Sequence, residues 1–468
     1  MKQSGISRRE LLRRTGGLGL GIAFVGSVDS LFGASLAAGA RSEEAYGYGP
    51  LVPDPNHILD LPEGFSYRTF SRYRDPVTGG GLVPTRHDGM GSFPTSSGNV
   101  RLVRNHEGYN DSVRVPATGE FTYDLPAAGG TMTVELDDDL NLLSQYGSLG
   151  GTVRNCSGGR TPWGTWLTCE ETELRAGAPG RAGAGPLTKD HGWVFEIDPH
   201  NPDNNVSPTP LVGMGRFAHE AVAIDPESNV GYLTEDAASP FGLLYRFTPV
   251  DSSGGYGSYR AGGTLEAMYV AGVPDLSVVT RVNTRFNHVE WVPVPDPTAT
   301  TVSTRSQFTD DQVTRSQKLE GASYGRGAVY VVASFAREES GSAARHDGQV
   351  WRYEPKNNLL TLELIFTGGR FESPDNIAIS PFGGGVVLAE DGQDGEQYLV
   401  GVAQNGRPFA IARNALNTAE LAGVTFSDDQ RTLFGNIYGG TGGGLSFAIR
   451  GPWDTVSPAD PESNAGGG

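Results

Sequence analysis

The sequence predicts an all-β fold, a β-propeller of six blades or, less simply, seven. Its 468 residues include 67 glycines and 30 prolines but no internal low-complexity tract, which indicates many short strands and turns. Few stretches show a sustained helical period. Polar sites instead recur in pairs, at intervals of roughly 50–70 residues, and a strand–turn–strand run separates the members of each pair. Repeats of this size are typical of β-propellers, with an array of β-sandwiches as the competing architecture.

The first 40 residues match a twin-arginine export signal. Arg8 and Arg9 stand in the stretch SRRELL, a Gly-rich apolar segment follows, and residues 38–40 (AGA) form a small-residue cleavage site. The uncharged run between Arg14 and Asp29 is shorter than the roughly 20 residues of a membrane span. We therefore expect export by the twin-arginine translocase, a periplasmic or extracellular location, and no stable membrane span after cleavage.

Downstream of the leader (1–40), the sequence predicts one folded domain. Residues 41–60 form a Pro-rich lead-in, 61–456 a single β-propeller, and 457–468 a disordered tail. The chain carries 36 basic and 54 acidic side chains, a net charge of −18. This balance excludes nucleic acid as a partner, because binding it needs a basic footprint. We expect a monomer that acts on a small substrate, and bound metal ions would supply the local positive charge that an anionic substrate needs.

Two cysteines, Cys156 and Cys169, leave two interpretations open. A disulfide is the usual state of a cysteine pair in an exported protein. However, Cys169 lies within an apolar strand run, whereas Cys156 lies in a polar Asn-Cys-Ser loop. A buried Cys169 and a metal-binding thiolate at Cys156 fit this difference better.

Six repeat units can be placed by their paired polar sites. The two sites of a unit flank a hairpin, whose antiparallel strands return the chain to its starting end, so the two sites should meet. The pairs are Asp88 with Asn105-His106-Glu107, Cys156 with Glu170-Glu171, Glu220 with Glu235-Asp236, Glu320 with Ser334, Asp375 with Glu390-Asp391, and Gly423 with Asn436. The sixth pair has no acid. The long gap between Glu220 and Glu320 could hold a seventh blade, although its turn-rich stretches favour one blade with long loops.

In a propeller, these hairpin ends gather around the axis. Two carboxylates about 5 Å apart repel by roughly 3 kcal/mol at an effective dielectric near 20. The acids must therefore be protonated or hold cations, unless each one pairs with its own arginine or caps a turn. Carboxylate and amide oxygens favour calcium, and a thiolate beside them favours a softer metal such as iron or zinc. The acids expected at the axis are Glu107, Glu171, Glu220, Glu320, Asp375 and Glu390 or Asp391.

The stretch Asn155–Glu171, NCSGGRTPWGTWLTCEE, together with RFAHEA, PDN and LAEDG further on, resembles the PhoX-type alkaline phosphatases. The resemblance runs from about Gly64 to the last repeat. It implies a twin-arginine-exported propeller with a cluster of Fe³⁺ and Ca²⁺. The residues implied as ligands of iron or of shared metals are Cys156, Glu171, Glu220 and Glu320. Those implied at or near calcium are Asp375, Asn376, Glu390 and Asp391.

The activity implied by this resemblance is metal-assisted hydrolysis of phosphomonoesters. Lys318 stands where the family usually has the arginine of an Arg-Pro-Glu triplet that faces phosphate, and a lysine offers a point donor rather than a bidentate fork. We expect Lys318, and with it Arg160, to stabilise charge in the transition state. The alternatives are a calcium-dependent lactonase or esterase propeller, in which Cys156 has no role, and a non-catalytic binding propeller stabilised by metal.

Overall fold

Six antiparallel sheets surround one axis in the computed structural model, and they form the blades of a β-propeller. The structure describes residues 47–455 except 112, 383–384, 393–394, 404–405 and 440–442. The inner strands of successive blades lie side by side in a closed ring, from blade one to blade six and back to blade one. The prediction of an all-β propeller with six blades is therefore confirmed.

The first strands of the chain reinforce the last two blades rather than start a blade of their own. They are β1 (Leu51–Val52), β2 (Leu59–Pro62) and β3 (Ser66–Arg72). β1 and β2 pair with each other and extend the outer edge of blade five, so the predicted lead-in contributes strands to the propeller. β3 becomes the outermost strand of blade six.

Blades one and two follow directly in the chain. Blade one contains β4 (His87–Pro94), β5 (Val100–His106), β6 (Gly129–Leu136) and β7 (Leu142–Thr152). Blade two contains β8 (Asn155–Arg160), β9 (Trp166–Glu170) and β10 (Val194–Ile197). In each blade the strands pair in chain order from the axis outward.

Blade three explains the long gap between the third and fourth units. Its first strands are β11 (His219–Ile224), β12 (Gly231–Glu235), β13 (Gly242–Pro249) and β14 (Gly263–Tyr269). Three short strands follow: β15 (Arg285–Phe286), β16 (Glu290–Pro293) and β17 (Arg315–Ser316). β16 and β17 add to blade three, whereas β15 adds to the edge of blade four. The gap is one blade with long connections, as the turn-rich sequence suggests.

The last three blades complete the ring. Blade four contains β18 (Leu319–Gly325), β19 (Ala328–Ala333), β20 (Gly348–Glu354) and β21 (Leu359–Phe366). Blade five contains β22 (Pro374–Ile379), β23 (Val386–Glu390), β24 (Tyr398–Val402) and β25 (Pro408–Asn414). Blade six contains β26 (Leu421–Phe426), β27 (Thr432–Ile437) and β28 (Leu445–Arg450). β28 pairs with β3, so hydrogen bonds between the two ends of the domain close the propeller.

Within the described ranges, the helices are all short 3-10 turns in loops. They are Gly119–Phe121, Pro202–Asn205, Val212–Met214, Ser258–Ala261, Leu276–Val278, Thr304–Gln307, Glu338–Ser340, Pro355–Asn357 and Trp453–Thr455. None of the described helices has the length and hydropathy that crossing a bilayer would require. The predicted leader at 1–40 and the predicted tail at 457–468 lie outside the described residues.

Apolar side chains hold neighbouring blades together. A cluster around Leu167, Leu233 and Tyr245 joins blades two and three, and corresponding clusters join the other blades. The cluster with Phe70 and Phe434 lies between blades six and one, so the closing interface is packed like the others. This packing fixes the distance between inner strands and hence the positions of their side chains at the axis.

Glycines allow the inner strands to approach closely. A Cβ atom on Gly159 in blade two would lie 1.7 Å from the carbonyl oxygen of Val222 in blade three. That oxygen belongs to a paired strand and cannot rotate away, so any side chain at Gly159 would push the two blades apart.

We expect Gly159→Ala to destabilise the protein by about 3 kcal/mol, which would appear as a lower melting temperature in calorimetry. Gly119→Ala is the control, because a Cβ atom on Gly119 would meet nothing within 4 Å. Equal melting temperatures for the two variants would contradict the close approach of blades two and three.

Candidate metal centre

Each blade presents two residues near the axis, at equivalent places in its first hairpin. The first is the second residue of the inner strand, and we call these positions the first ring: Asp88, Cys156, Glu220, Glu320, Asp375 and Ala422. The other follows the last residue of the second strand, and we call these positions the second ring: Glu107, Glu171, Asp236, Ser334, Asp391 and Tyr438. In all six blades the N–H of the second-ring residue donates to the carbonyl of the residue just before the inner strand, at 2.8–3.2 Å. The paired sites of the sequence therefore meet.

A β-bulge follows the first-ring residue in every blade. In blade two, for example, Asn155 pairs with Glu170, but the next pair, Gly158 with Thr168, is displaced by one residue. The inner strands of blades one, three, four and five show the same displacement at the same place. In blade six the displacement comes one residue later, because Ala422 still pairs with Asn436. A bulge redirects the side chain next to it. The repeated bulge therefore gives the first-ring residues of blades one to five an equivalent orientation.

Three groups of residues at the axis, drawn from the two rings and from Glu420, could each hold a metal ion. Within each group one ligand atom per residue lies within 4.8 Å of the others. The groups are Cys156, Glu171 and Glu220; Glu220, Glu320 and Asp375; and Asp375, Asp391 and Glu420. Glu220 and Asp375 are each shared by two groups, so the three form one continuous cluster.

Burial and mutual repulsion raise the pKa values of the clustered acids. Burial is the main cause for Glu220, followed by the charges of Asp375 and Glu320. The pKa of Asp375 is raised by burial and then by Glu320 and Asp391. Burial raises the pKa of Glu320 to about 7, although Lys318 opposes the shift. Without metal the cluster would keep protons, and multivalent cations are the natural replacement for those protons.

The thiol of Cys156 belongs to the first group. Cys156 and Cys169 are both free, so they form no disulfide in this structure. The Cys156 sulfur lies 3.3 Å from the carbonyl oxygen of His219 and 3.6 Å from that of Glu220. Burial, then Glu220 and Glu171, raises the pKa of Cys156. A thiol in this environment would become a thiolate only beside a cation, which fits a metal ligand.

Lys318 lies at the edge of the cluster, with its ammonium between two carboxylates. Its Nζ is 2.6 Å from a carboxylate oxygen of Asp236 and 2.6 Å from one of Glu320. Burial would lower the pKa of Lys318, but Glu320 and Asp236 outweigh it and raise that pKa. The ammonium therefore compensates two carboxylates, and one of its three N–H donors remains for a ligand.

Three predicted ligands have other partners. Glu390 accepts hydrogen bonds from the backbone N–H groups of Glu372 and Tyr398, inside blade five. Asn376 donates to Asp375 at 3.0 Å and accepts from the N–H of Gly423. Glu107 accepts a hydrogen bond from the Tyr438 hydroxyl. Glu107 and Glu390 belong to none of the three groups of His, Cys, Asp and Glu found among the described residues, whereas Asn376 contacts one member, Asp375.

The alternation of a strand explains why Glu390 and Asp391 differ. Neighbouring strand residues direct their side chains to opposite faces. Glu170 and Glu235 occupy the same place in blades two and three, and they also bond within their blades. The residue after each of them belongs to the second ring.

Arg160 lies at the far end of its inner strand, away from the cluster. It pairs with Asp428 at 2.5 Å and lies over the ring of Phe93. Together with Trp166 and Tyr324 it lines a cavity of about 390 Å³ in the axial channel. The structure therefore does not bring Arg160 to the metal groups, because Arg160 is the last residue of β8 and Cys156 is the second.

Three acids of the centre were absent from the predicted ligands. Asp236 and Asp88 had been placed in paired sites, and the alternation of the strands could have selected both. Burial, followed by Asp375 and Glu107, raises the pKa of Asp88. Glu420 lies in the sixth unit, whose paired sites contain no acid. The pairing does not find Glu420 because it precedes the inner strand β26. Only the backbone equivalence of Glu420 and Lys318 reveals its place.

Comparison with known protein families agrees with this geometry. The family model described as alkaline phosphatase PhoX matches residues 46–148 and 126–440. The chain belongs to the alkaline phosphatase PhoX family. This confirms the resemblance carried by Asn155–Glu171, and the metal dependence of the PhoX family agrees with a centre rich in carboxylates. A search of the curated proteins finds no match.

Several solved structures are similar to this PhoX-family chain at low sequence identity. A protein of unknown function from Dyadobacter fermentans has 11% identity and a TM-score of 0.43, covering 82% of this chain and 99% of its own. An α-L-arabinanase from Penicillium chrysogenum has 10% identity and a TM-score of 0.38, with 82% and 98% covered. The pyranose dehydrogenase PQQ domain from Coprinopsis cinerea has 10% identity and a TM-score of 0.36, with 85% and 98% covered. TM-scores below 0.5 support no functional comparison.

The neighbours Glu390 and Asp391 should respond differently to loss of charge. We expect Asp391→Asn to lower the number of metal ions bound per chain, because Asp391 belongs to the third group. Glu390→Gln should keep that number and lower only the stability, by about 1–3 kcal/mol, because one of the two N–H groups loses its acceptor. Elemental analysis and calorimetry of both variants distinguish these effects. Loss of metal from Glu390→Gln alone would be inconsistent with this arrangement.

The metal-free protein should lose stability as the pH rises. The folded-state pKa values of Glu220, Glu320 and Asp375 are raised, so the folded protein binds more protons than the unfolded chain above about pH 4. The free energy of unfolding should therefore fall as the pH increases from about 5 to 8. Calcium-loaded protein should lack this fall, since metal binding strengthens as carboxylates lose protons. Melting curves with chelator and with calcium test this, and parallel pH profiles would refute it.

Proposed function

We propose that this protein is an exported, metal-dependent phosphomonoesterase that hydrolyses small phosphate esters at the propeller axis. The observation that carries the proposal is the continuous cluster of three ligand groups in a chain of the alkaline phosphatase PhoX family. The twin-arginine pattern in residues 1–40 supports export to the periplasm or the medium. A folded, metal-loaded protein is the kind of cargo that this route carries.

We assign the two ends of the cluster to different metals. The first group combines a thiol with carboxylates, Cys156 with Glu171 and Glu220, and a thiolate favours a transition metal such as Fe³⁺ over Ca²⁺. The third group, Asp375, Asp391 and Glu420, offers carboxylate oxygens alone, which favours Ca²⁺. The middle group shares one ligand with each end and would join the two.

The chain's own residues would hold the substrate and arrange charge. When bound, iron and calcium polarise phosphoryl oxygens and lower the pKa of water. Asp236 and Glu320 hold the Lys318 ammonium in place, so its remaining N–H can donate to a phosphoryl oxygen without reorganisation. Glu107 and Glu390 would fix the backbone and neighbours of the ligands rather than bind metal, and the Asn376 amide would hold Asp375 in place. Arg160 has no part in this assignment.

The donor set favours this function over a calcium-dependent lactonase. A site for calcium alone would leave the Cys156 thiol without a role in the first group, because Ca²⁺ takes oxygen ligands. A non-catalytic propeller stabilised by metal uses the same ligands, so activity decides between these two functions.

The proposal is tested on natively exported protein with p-nitrophenyl phosphate and a metal inventory. We expect phosphatase activity with iron and calcium present, loss of activity on chelation, and recovery on restoring the metals. Glu220→Gln should lower activity at least about 100-fold, because Glu220 serves two groups.

Glu235→Gln is the matched control in the same blade. Glu235 is buried, but it bonds to Tyr245 and Arg305 instead of joining a ligand group. This variant should melt at a lower temperature and retain its activity. Metal-loaded wild-type protein that hydrolyses no phosphate ester would refute the phosphatase and leave the binding propeller.

A further inference from the structure

The residue just before each inner strand occupies a third set of equivalent positions. In every blade its carbonyl accepts the hydrogen bond from the second-ring residue, so its backbone borders the metal centre. We call these the cap positions: Arg86, Arg154, Ala218, Lys318, Ser373 and Glu420. Three of the six carry a positive charge in a strongly acidic protein. These three adopt a left-handed backbone, with φ of 56°, 52° and 53°, as does Ser373 with φ of 46°.

Most cap residues have side chains that are already engaged or too short to reach a ligand. Arg86 donates to the Tyr438 hydroxyl at 2.8 Å and pairs with Asp111 at 3.3 Å. Lys318 compensates Asp236 and Glu320. Glu420 belongs to the third ligand group, while Ala218 and Ser373 are small.

Arg154 is the exception. Its side chain is exposed, and in the described part of the chain it makes no ion pair and no side-chain hydrogen bond, only a contact over the Tyr109 ring at 5.7 Å. Its charge is still felt by the centre, since it lowers the pKa of Glu107 against the larger effect of burial. A cation kept beside a cluster of carboxylates without pairing to any of them has its donors left for a ligand.

The backbone of Arg154 is fixed at the first ligand group. Its N–H donates to the carbonyl of Gly108 at 2.9 Å, and its carbonyl accepts from the N–H of Glu171 at 2.8 Å. Cys156 follows two residues later. Glu171 is therefore linked to Arg154 by a backbone hydrogen bond, and Cys156 is linked to it along the chain. The backbone of Arg154 cannot move away from the first group without breaking the hairpin end.

We propose that Arg154 is a substrate-binding residue that donates to the phosphoryl oxygens of a phosphomonoester dianion at the first ligand group. The inference rests on the proposed phosphatase function. A guanidinium presents two parallel N–H donors that match two phosphate oxygens, a geometry that the single ammonium of Lys318 does not offer. Arg154 thus supplies the bidentate contact that Lys318 cannot.

The test compares three variants with wild-type holoenzyme, using p-nitrophenyl phosphate turnover and inhibition by inorganic phosphate. Arg154→Ala should raise KM and the inhibition constant of phosphate by about 10-fold to 100-fold, with a smaller effect on kcat, because a charge-assisted contact is lost. Arg154→Lys should give values between those of the wild type and Arg154→Ala, since lysine keeps the positive charge but lacks the two parallel N–H donors of a guanidinium. The metal content of both variants should equal that of the wild type.

Arg326→Ala is the matched control. Arg326 is also an exposed arginine with a left-handed backbone, φ 54°, but it lies in the turn at the opposite end of the blade-four hairpin. Its removal should leave KM and phosphate inhibition unchanged.

The outcomes separate the failure of this inference from failure of the proposed function. If the wild-type protein neither hydrolyses the ester nor binds phosphate in calorimetry, both the phosphatase function and the role of Arg154 are overturned. Active wild-type protein with unchanged KM and phosphate inhibition in Arg154→Ala overturns only the role of Arg154. Loss of metal from Arg154→Ala also overturns it, because Arg154 would then serve the ligands instead of the substrate. If Arg154→Ala cannot be recovered folded, Arg154→Gln gives the same measurements with a side chain of similar length.

Discussion

Repulsion among carboxyl groups at the axis is the constraint on which this structure depends. Six blades bring their hairpin ends together, and most of these ends carry acids that are largely buried. Two such charges a few ångströms apart oppose each other by several kcal/mol, even at an effective dielectric near 20. The Lys318 ammonium neutralises part of this charge, at Asp236 and Glu320. The rest requires protons or multivalent ions, so the folded scaffold and its metal content are linked in a single equilibrium.

The scaffold controls this repulsion through three repeated backbone features. The bulge in each inner strand orients the first ring, and the hydrogen bond from the second-ring N–H to the cap carbonyl closes each hairpin end. Strand alternation turns the preceding glutamate into the blade, where Glu170 accepts from the backbone of Gly192 and Trp193. Adjacent acids such as Glu170 and Glu171 thus serve stability and metal binding separately. Apolar packing between the blades holds these ends in register.

The sequence was sufficient for the fold and for the meeting of paired sites, because strand alternation, turn residues and repeat length are local properties. Cys156 and Glu171, for example, were paired by a hairpin that can be recognised in the residues themselves. Which acid of a pair faces the axis was also within reach, since it follows from a period of two. The position of Arg160 cannot be predicted in this way, because it depends on where a strand ends relative to the bulge. Glu420 was missed for a related reason: it occupies a cap position, and caps are equivalent only through their backbone hydrogen bonds.

The near six-fold repetition of the backbone makes the inequality of its side chains informative. All six blades pack against their neighbours through apolar clusters, but their residues at the axis differ. Blade two places the thiol of Cys156 in the first ring, whereas blade six places Ala422 there and Tyr438 in the second ring. A cluster with one thiol end and one carboxylate end can hold two different ions in fixed order, because a thiolate favours transition metals and carboxylates alone favour calcium or magnesium. A symmetric ring of acids could not do this. The cap positions divide in the same direction, with Arg154 beside the thiol group and Glu420 within the carboxylate group. A cationic side chain therefore lies beside the thiol group, and an additional carboxylate lies within the carboxylate group.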